Sequence, residues 1–296
     1  MSEAFRGSIY MNDRLVPASE AVVSVLEPGF LYGESVFETL RTYDGRCFRL
    51  DAHLRRLEAG VRAVNLRLPV TLERLSSAVL ETVRANLPRE GGECRVRITV
   101  SATRPPGGPD VIVQARPLRE GGEQPDPRGL PGQRSGYSAH VVRIRRDERS
   151  PLAALKTGNY LVNLLAMAEA KAVYADEAIL MNLAGKVSEG SRTNVFVLVG
   201  DTVVTPSERS GILPGITREC VMRLAEGLGI CCRAEELSVE ELMGAGEVFV
   251  TNSVVGVMPV TRLSAHWGES GCVGPAAGSV TRRLGEAYLD LARRGP

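Results

Sequence analysis

Residues 119–136 place the strongest constraint on how this chain of 296 residues can fold. They read REGGEQPDPRGLPGQRSG and combine glycine, proline and charge without an apolar period, which is typical of a linker. Strand-like and helix-like patterns alternate on both sides of it. We therefore expect an α/β (α+β) fold with a small N-terminal domain over 1–117, a linker over 118–133 and a larger C-terminal domain over 134–296. A cleft between two such domains is the usual place for a ligand.

Local patterns predict several elements of this fold. SIYMNDRLVP predicts a β-hairpin that turns at Asn12-Asp13, and VFETLRTYDGRCFRL predicts another around Asp44-Gly45. DAHLRRLEAGVRAV predicts a helix with one apolar stripe. A longer helix from about Asn159 to Tyr174 is apolar on most sides, so we expect it to be buried.

Composition excludes several classes of function. The 36 basic and 35 acidic residues leave a net charge of +1, which argues against a protein that binds nucleic acid through its overall positive charge. No apolar run approaches the roughly 20 residues of a membrane span, and the first residues show no secretory pattern. Six scattered cysteines and three histidines have no metal-site spacing. We therefore expect a cytoplasmic protein with free thiols, no membrane contact and no metal.

Lysine is rare in this chain, and one lysine has an unusual context. Lys171 and Lys186 lie in polar surroundings, whereas Lys156 lies between the apolar segment PLAAL and the predicted long helix. Apolar surroundings lower the pKa of an amine, as covalent chemistry with a carbonyl compound requires. The alternative is a lysine whose stem covers an apolar helix start while its amine stays in water.

Two further segments could bind an anion such as a phosphate. Pro214-Gly215-Ile216-Thr217 opens a predicted helix, where free N–H groups and the positive end of the helix dipole attract anions. Thr251-Asn252-Ser253 follows the predicted strand EVFV and could add donors. Each segment is also compatible with an ordinary helix start or loop.

Two charged side chains complete the candidates. Arg56 shares a helix face with His53 and Gly60, and an arginine beside such small neighbours could bind a phosphate with two N–H groups. Glu189 precedes a glycine at a predicted strand edge and could keep a pyridine nitrogen protonated. Surface positions are the alternative for both. Together with Lys156, these residues suit one cofactor that needs an amine, a phosphate site and an acid.

Five blocks of the sequence resemble the fold-type IV pyridoxal-phosphate enzymes, in the order found in that family. The family holds branched-chain and D-amino acid aminotransferases and aminodeoxychorismate lyase. The blocks span nearly the whole chain and read LYGESVFETLRTYDGRCFRLDAHLRRL, KTGNYLVNLLAMAEA, DEAILMNLAGKVSEGSRTNVF, GILPGITRE and EVFVTNSVVGVMPV. The resemblance implies pyridoxal 5′-phosphate as cofactor, a homodimer, and a C-terminal domain with a barrel-like sheet, with cofactor and substrate between the two domains.

The resemblance also implies roles for individual residues. Lys156 matches the lysine that joins the cofactor covalently, Arg56 matches the phosphate arginine, and Glu189 matches the acid that faces the pyridine nitrogen. The remaining matches surround the ring hydroxyl and the phosphate. They are Tyr160 beside the hydroxyl, Ile216 and Thr217 in the backbone cradle of the phosphate, and Ser253 on its far side.

The residue after the VFE motif bears on the reaction. It is Thr39 here, where branched-chain aminotransferases usually have glycine and the lyases tend to have threonine. The strand RVRITVS and the segment TNSVVGVMPV also look more like the lyases. The resemblance therefore first implies a lyase of folate synthesis that forms 4-aminobenzoate and pyruvate from 4-amino-4-deoxychorismate. Lys156 is then the general base, and Thr39 assists proton transfer or contacts a substrate carboxylate.

Arg41 and Arg97 are candidate ligands for the substrate carboxylates, and strand-surface charges are the alternative. SATRPP lacks the Ser-Arg-Gly of many lyases, so other functions stay open. One is an aminotransferase of branched-chain L-amino acids or of D-amino acids that uses the same lysine and a keto-acid acceptor. A more remote one is a catalytically silent protein that binds pyridoxal phosphate. Both enzymes would act on a small amino substrate.

Overall fold

The computed structural model describes residues 6–87, 92–103, 107–118, 136–272 and 278–295. These residues divide into two compact units. The first takes the described residues within Met1–Gln124, Leu155–Asn159 and Ala292–Pro296, and the second takes those within Pro125–Ala154 and Tyr160–Leu291. The predicted linker over 118–133 lies outside the described residues except for residue 118, and the domain boundaries stay a prediction.

The first unit is built on an antiparallel sheet. Its six described strands are β1 (Ser8–Met11), β2 (Arg14–Pro17), β3 (Ser35–Tyr43), β4 (Arg46–Cys47), β5 (Glu93–Ser101) and β6 (Asp110–Leu118), in the order β2-β1-β6-β5-β3-β4. Its helices are α1 (Pro28–Tyr32), α2 (Leu50–Ala63) and α3 (Leu72–Asn86). Both predicted hairpins are confirmed, with Asn12 and Asp44 in the left-handed region at their turns.

One face of this sheet forms the core of the first unit. Alternate residues of β5, from Cys94 to Val100, are fully buried, because successive side chains of a strand point to opposite faces. Helix α2 covers this face with Leu54, Leu57 and Val61, as its apolar stripe predicts. The other face of β5 carries charged and hydroxyl side chains that are only half-buried.

The second unit contains a larger, mixed sheet. Its nine described strands are β7 (Tyr137–Arg146), β8 (Glu177–Asn182), β9 (Val187–Gly190), β10 (Asn194–Val199), β11 (Thr202–Pro206), β12 (Cys232–Glu235), β13 (Glu247–Asn252), β14 (Gly256–Ala265) and β15 (Ser270–Cys272). Eight follow the order β12-β11-β10-β13-β14-β7-β8-β9, and β15 pairs with β14. Strand β9 returns to lie beside β10 and β11, so the sheet curls into a half-barrel. The predicted mixed α/β fold with a barrel-like sheet is therefore confirmed.

Helices pack against this curled sheet. They are α4 (Leu161–Ala172), α5 (Ile216–Gly227), α6 (Val239–Met243), the start of α7 (Ser279–Arg294) and a 3₁₀ helix (Glu208–Ser210). Among the helices of the described ranges, none combines the length and the apolar character needed to cross a bilayer.

Helix α4 is not buried on most sides, so that prediction is wrong. Its buried residues are Ala166, Met167 and Ala170, and the two alanines let the helix lie close to β7 and β8. Its larger side chains point away and are exposed in the single chain: Leu161, Val162, Leu164 and Leu165. An apolar helix pattern cannot tell burial within one chain from burial by another chain.

Candidate active site

The backbone around Lys156 is held by an edge of the first sheet. The segment Leu155–Asn159 runs along the start of β3, where no other strand of the described residues covers that edge. The Phe37 N–H donates to the Lys156 carbonyl at 2.9 Å, and the Gly158 N–H donates to the Ser35 carbonyl at 2.7 Å. The predicted boundaries put this segment in the C-terminal domain over 134–296. The two hydrogen bonds explain why it belongs to the first compact unit instead.

The side chains of Lys156 and Arg97 both lie against the Phe37 ring of β3. The Lys156 Nζ atom lies 4.6 Å from the centroid of the Phe37 ring, and the Arg97 Cζ atom lies 3.7 Å from the same centroid. Thr39 is the cross-strand partner of Arg97 and follows Phe37 on the same face. The amine, the guanidinium and the hydroxyl therefore share one neighbourhood.

Arg41 is engaged elsewhere on β3. It lies four residues beyond Phe37, which is about 13 Å along a strand. Its guanidinium forms an ion pair with Glu93 and lies 4.5 Å from the centroid of the Tyr43 ring. The structure thus brings Arg97, and not Arg41, to the side chain of Lys156.

Arg56 is bound by a buried carboxylate on the core face of β3. Its Nε donates to Glu38 Oε1 at 2.7 Å and its Nη2 donates to Oε2 at 2.8 Å. His53, one turn earlier on α2, donates from Nδ1 to Oε2 at 2.7 Å. Glu38 is completely buried between Val36 and Leu40, both of which belong to the apolar core.

The charge states of Glu38 and His53 follow from their burial and from the groups that they contact. Burial alone would raise the pKa of Glu38, but the hydrogen bonds and charge of Arg56, with the bond from His53, lower it to about 2. Burial lowers the pKa of His53, the Glu38 carboxylate opposes this, and the charges of Arg56 and Lys156 add to the lowering. Glu38 is therefore an anion and His53 is neutral at pH 7.

Glu189 is a buried carboxylate of β9 in the second unit. Arg146 Nη1 lies 3.0 Å from its Oε1. The Leu213 N–H donates to Oε2 at 2.9 Å, and Asn194 Nδ2 donates to the same oxygen at 3.3 Å. One oxygen of this carboxylate takes a charged donor and the other takes two neutral donors. Such an arrangement stabilises the anion and holds it in one orientation.

Arg146 is itself anchored by backbone carbonyls. Its Nε donates to the Gly211 carbonyl at 2.5 Å, and its Nη2 donates to the Ala153 carbonyl at 2.6 Å. Arg146 does not stand out in the sequence, because it ends a strand with several other arginines and only the fold selects the one that reaches Glu189. Glu38 was not among the predicted site residues either, although a carboxylate that interrupts the apolar side of a strand is a detectable signal of a buried ion pair.

The start of α5 has two features of an anion site. Gly215 precedes the helix, which begins at Ile216 and Thr217 without a side-chain cap, so first-turn N–H groups lack a capping partner among the described residues. A Cβ atom on Gly215 would lie 1.9 Å from Asn194 Oδ1, so only glycine fits there. Because Asn194 also donates to Glu189, it couples the helix start to the buried carboxylate.

Tyr160 and Asn252, the residue before Ser253, both donate a hydrogen bond to the loop between β9 and β10. The Tyr160 hydroxyl donates to the Ser191 carbonyl at 3.0 Å. Asn252, directly before Ser253, donates from Nδ2 to the Arg192 carbonyl at 3.3 Å. The second unit therefore gathers the other predicted site residues, which are Tyr160, Glu189, Ile216, Thr217 and Ser253.

The chain is similar to known proteins along nearly its whole length. The family described as Amino-transferase class IV matches residues 35–263. A Methanocaldococcus jannaschii protein, provisionally assigned as a branched-chain-amino-acid aminotransferase, is 33% identical over 96% of each chain. The aminodeoxychorismate lyase of Bacillus subtilis is 32% identical over 86% of each chain.

A solved structure shows the same similarity. The branched-chain aminotransferase of the thermophilic archaeon Thermoproteus uzoniensis, with norvaline, has a TM-score of 0.85 and 32% identity, with coverage of 97% of this chain and 95% of that one. Enzymes of class IV use pyridoxal 5′-phosphate as their cofactor. The family match spans well over half of the chain, and on that ground this chain belongs to the class IV aminotransferases.

Proposed function

We propose that this chain is a pyridoxal 5′-phosphate-dependent aminotransferase that transfers the amino group of branched-chain L-amino acids to a keto-acid acceptor. The observation that carries the proposal is the pair Lys156 and Arg97 on the Phe37 ring. An α-amino acid needs a reactive amine and a cation for its carboxylate at short separation, and this pair provides both. Similarity to the aminotransferase relative covers 96% of this chain, against 86% for the lyase, so the lyase first implied by the sequence is less well supported.

The described residues fit the cofactor. In the second unit, a phosphate suits the uncapped start of α5, where Gly215 leaves no room for a side chain. In the first unit, a phosphate suits the guanidinium of Arg56. The pyridine nitrogen of the cofactor suits the buried Glu189 carboxylate. We propose Lys156 as the covalent attachment point, with Tyr160 and Ser253 as further contacts. When bound, the cofactor supplies an electron sink for the α-carbon.

The side chains of the protein then divide the work. Lys156 Nζ removes the α-proton of the substrate and later returns a proton, because this amine lies on the same aromatic ring as the carboxylate-binding cation. Arg97 binds and orients the α-carboxylate. Glu189, kept anionic by Arg146, holds a proton on the pyridine nitrogen. Thr39, beside Arg97, contacts the carboxylate or assists the proton transfer.

A product assay tests this function. Purified protein with pyridoxal 5′-phosphate should convert L-leucine, L-valine or L-isoleucine to the keto acid and form glutamate from 2-oxoglutarate. Borohydride reduction followed by peptide mass spectrometry should find the cofactor on Lys156, and Lys156→Ala should lose both the adduct and the activity. A colourless protein without an adduct would contradict the proposal.

The lyase is a second candidate because of one specific observation. Thr39 occupies the position next to Arg97, where the sequence resemblance associates threonine with the lyases. Incubation with aminodeoxychorismate and no keto-acid acceptor separates the two functions. Release of pyruvate and 4-aminobenzoate would favour the lyase, and no release would leave the aminotransferase.

We also propose that the enzyme is a homodimer that uses the outer face of α4. Leu161, Leu164 and Leu165 are 67%, 58% and 51% exposed in the single chain. A contiguous apolar face of this kind usually marks a protein interface. A second copy of the chain would remove it from water. We further propose a cytoplasmic location, which suits the exposed thiol of Cys231.

A further inference from the structure

We propose that Glu38 is a positioning residue that aims Arg56 at the phosphate of the cofactor. This inference rests on the proposed function, because the phosphate that Arg56 is proposed to bind in the enzyme belongs to the cofactor. Glu38 has no proposed contact with the substrate. It lies on the core face of β3, and Thr39 and Arg97 lie on the opposite face of the sheet.

The geometry of the pair fixes the plane of the guanidinium. Glu38 takes one donor from Nε and one from Nη2, so its two oxygens bind one edge of Arg56 in a fork. The side chain of Arg56 is 20% exposed, so it is not sealed within the core as Glu38 is. Rotation of Arg56 would break both bonds at once.

The carboxylate is itself fixed. His53 binds Oε2 from Nδ1 at 2.7 Å, and apolar residues flank Glu38 on the same strand face. Glu38 therefore cannot follow a moving arginine without leaving a buried charge unpaired, which is strongly unfavourable. Arg56 is held ready before a ligand arrives, and binding loses less side-chain entropy.

The alternative role for Glu38 is simple neutralisation of the Arg56 charge. The two roles predict effects of opposite sign. A counter-charge weakens the attraction between Arg56 and a phosphate, so its removal would strengthen phosphate binding. A positioning group increases phosphate binding, so its removal, or a change in its length, would weaken it.

The experiment compares two ligands in the full-length chain. Dissociation constants of pyridoxal 5′-phosphate and of pyridoxal, which lacks the phosphate, are measured by absorbance for the wild type, Glu38→Gln and Glu38→Asp. The constant for pyridoxal divided by the constant for pyridoxal 5′-phosphate isolates the phosphate, because both ligands react with the same amine. Glu58→Gln is the matched control, since Glu58 lies on α2 and pairs with Arg62 on the helix surface.

If Glu38 positions Arg56, the dissociation constant for pyridoxal divided by that for pyridoxal 5′-phosphate should fall about tenfold or more in both Glu38 variants. The same ratio should stay unchanged in Glu58→Gln. Glu38→Asp keeps the charge but cannot reach both nitrogens. A ratio that stays at the wild-type value in Glu38→Asp, or that rises in Glu38→Gln, overturns the inference. Circular dichroism checks folding, and if Glu38→Gln does not fold, Glu38→Asp decides.

A second measurement separates this inference from the proposed function. Inorganic phosphate is titrated into the wild type and Glu38→Asp and followed by phosphorus NMR line broadening. Weaker phosphate binding in Glu38→Asp supports the positioning role, and equal binding overturns it. Wild-type protein that binds phosphate but forms no adduct with pyridoxal 5′-phosphate would instead overturn the proposed function.

Discussion

Lys156 and Arg97 lie against the same aromatic ring, with the amine 4.6 Å and the guanidinium carbon 3.7 Å from the Phe37 centroid. Because we propose that Arg97 binds the substrate carboxylate, Arg97→Gln should raise the KM for the amino acid about 10- to 100-fold, the usual cost of a lost charged hydrogen bond. Cofactor binding should change little. Steady-state kinetics checks this, with the exposed Arg116→Gln on β6 as control, and an equal effect of both variants would contradict the assignment.

Arg146 should be essential for stability, because it pairs with the buried Glu189. Arg146→Met leaves that carboxylate without its cation and removes the bonds to two backbone carbonyls. We expect a loss of about 3–5 kcal/mol in the unfolding free energy of the second unit. Urea denaturation measures it, and Arg143→Met, an exposed position on the same strand, should change little. Similar losses in both variants would refute the special role of Arg146.

Gly215, the N-cap of α5, and Gly227, the last residue of the helix, provide a matched pair of alanine substitutions. Gly215→Ala places a Cβ atom 1.9 Å from Asn194 Oδ1, so the helix start or the Asn194 amide must move. Affinity for pyridoxal 5′-phosphate should fall about tenfold, as expected when one charged hydrogen bond is lost. Gly227→Ala meets no atom within 4 Å and should keep the affinity while it stabilises the helix by about 0.5–1 kcal/mol. Equal affinities in a cofactor titration would rule out the cradle at Gly215.

Glu38 should make the free energy of unfolding depend on pH in the acid range. Its pKa is about 2 in the folded chain and 4.5 in water, so the stability it contributes is complete above pH 4.5 and is lost as the pH falls towards 2. The shift corresponds to about 3 kcal/mol. His53 adds a loss below its ordinary pKa of 6.5, because its folded pKa is lowered. Urea unfolding between pH 5 and pH 2.5 should show a smaller loss in Glu38→Gln than in Glu58→Gln, and parallel curves would be inconsistent with the ion pair.

The outer face of α4 should mediate self-association. Leu164→Glu places a charge within this exposed apolar face and should shift the protein from dimer to monomer. Size-exclusion chromatography with light scattering measures the mass. Lys171→Glu, at an exposed position near the end of the same helix, should keep the dimer. A wild-type monomer, or a dimer that survives Leu164→Glu, would remove this face from consideration.

The elements that the sequence predicts well are those with local causes. The turn at Asn12 and the apolar stripe of α2 depend on neighbouring residues, so their patterns are visible in the sequence. The environment of α4 is different, because its alanine face and its leucine face are both apolar and only the fold decides which one packs. Apolar periodicity therefore located the helix but misjudged its exposure.

The candidate site shows the same division. Lys156 stands out through its apolar flanks, and Arg56 stands out through its small neighbours on α2. Their partners could not be found in this way, because Glu38 lies 18 residues from Arg56 and Arg146 lies far in sequence from Glu189. The difference between Arg41 and Arg97 also depends on register, since both occupy the same face of the sheet and only one reaches the amine.

The pairing of Leu155–Asn159 with β3 has a consequence for gene design. Any truncated chain that stops at the linker keeps β3 but discards the segment that covers its edge. Bare edges of this kind recruit strands from other molecules and promote aggregation. We therefore expect the N-terminal half to aggregate when it is made alone, because Lys156 and its neighbours complete the first sheet only after the ribosome has passed the linker.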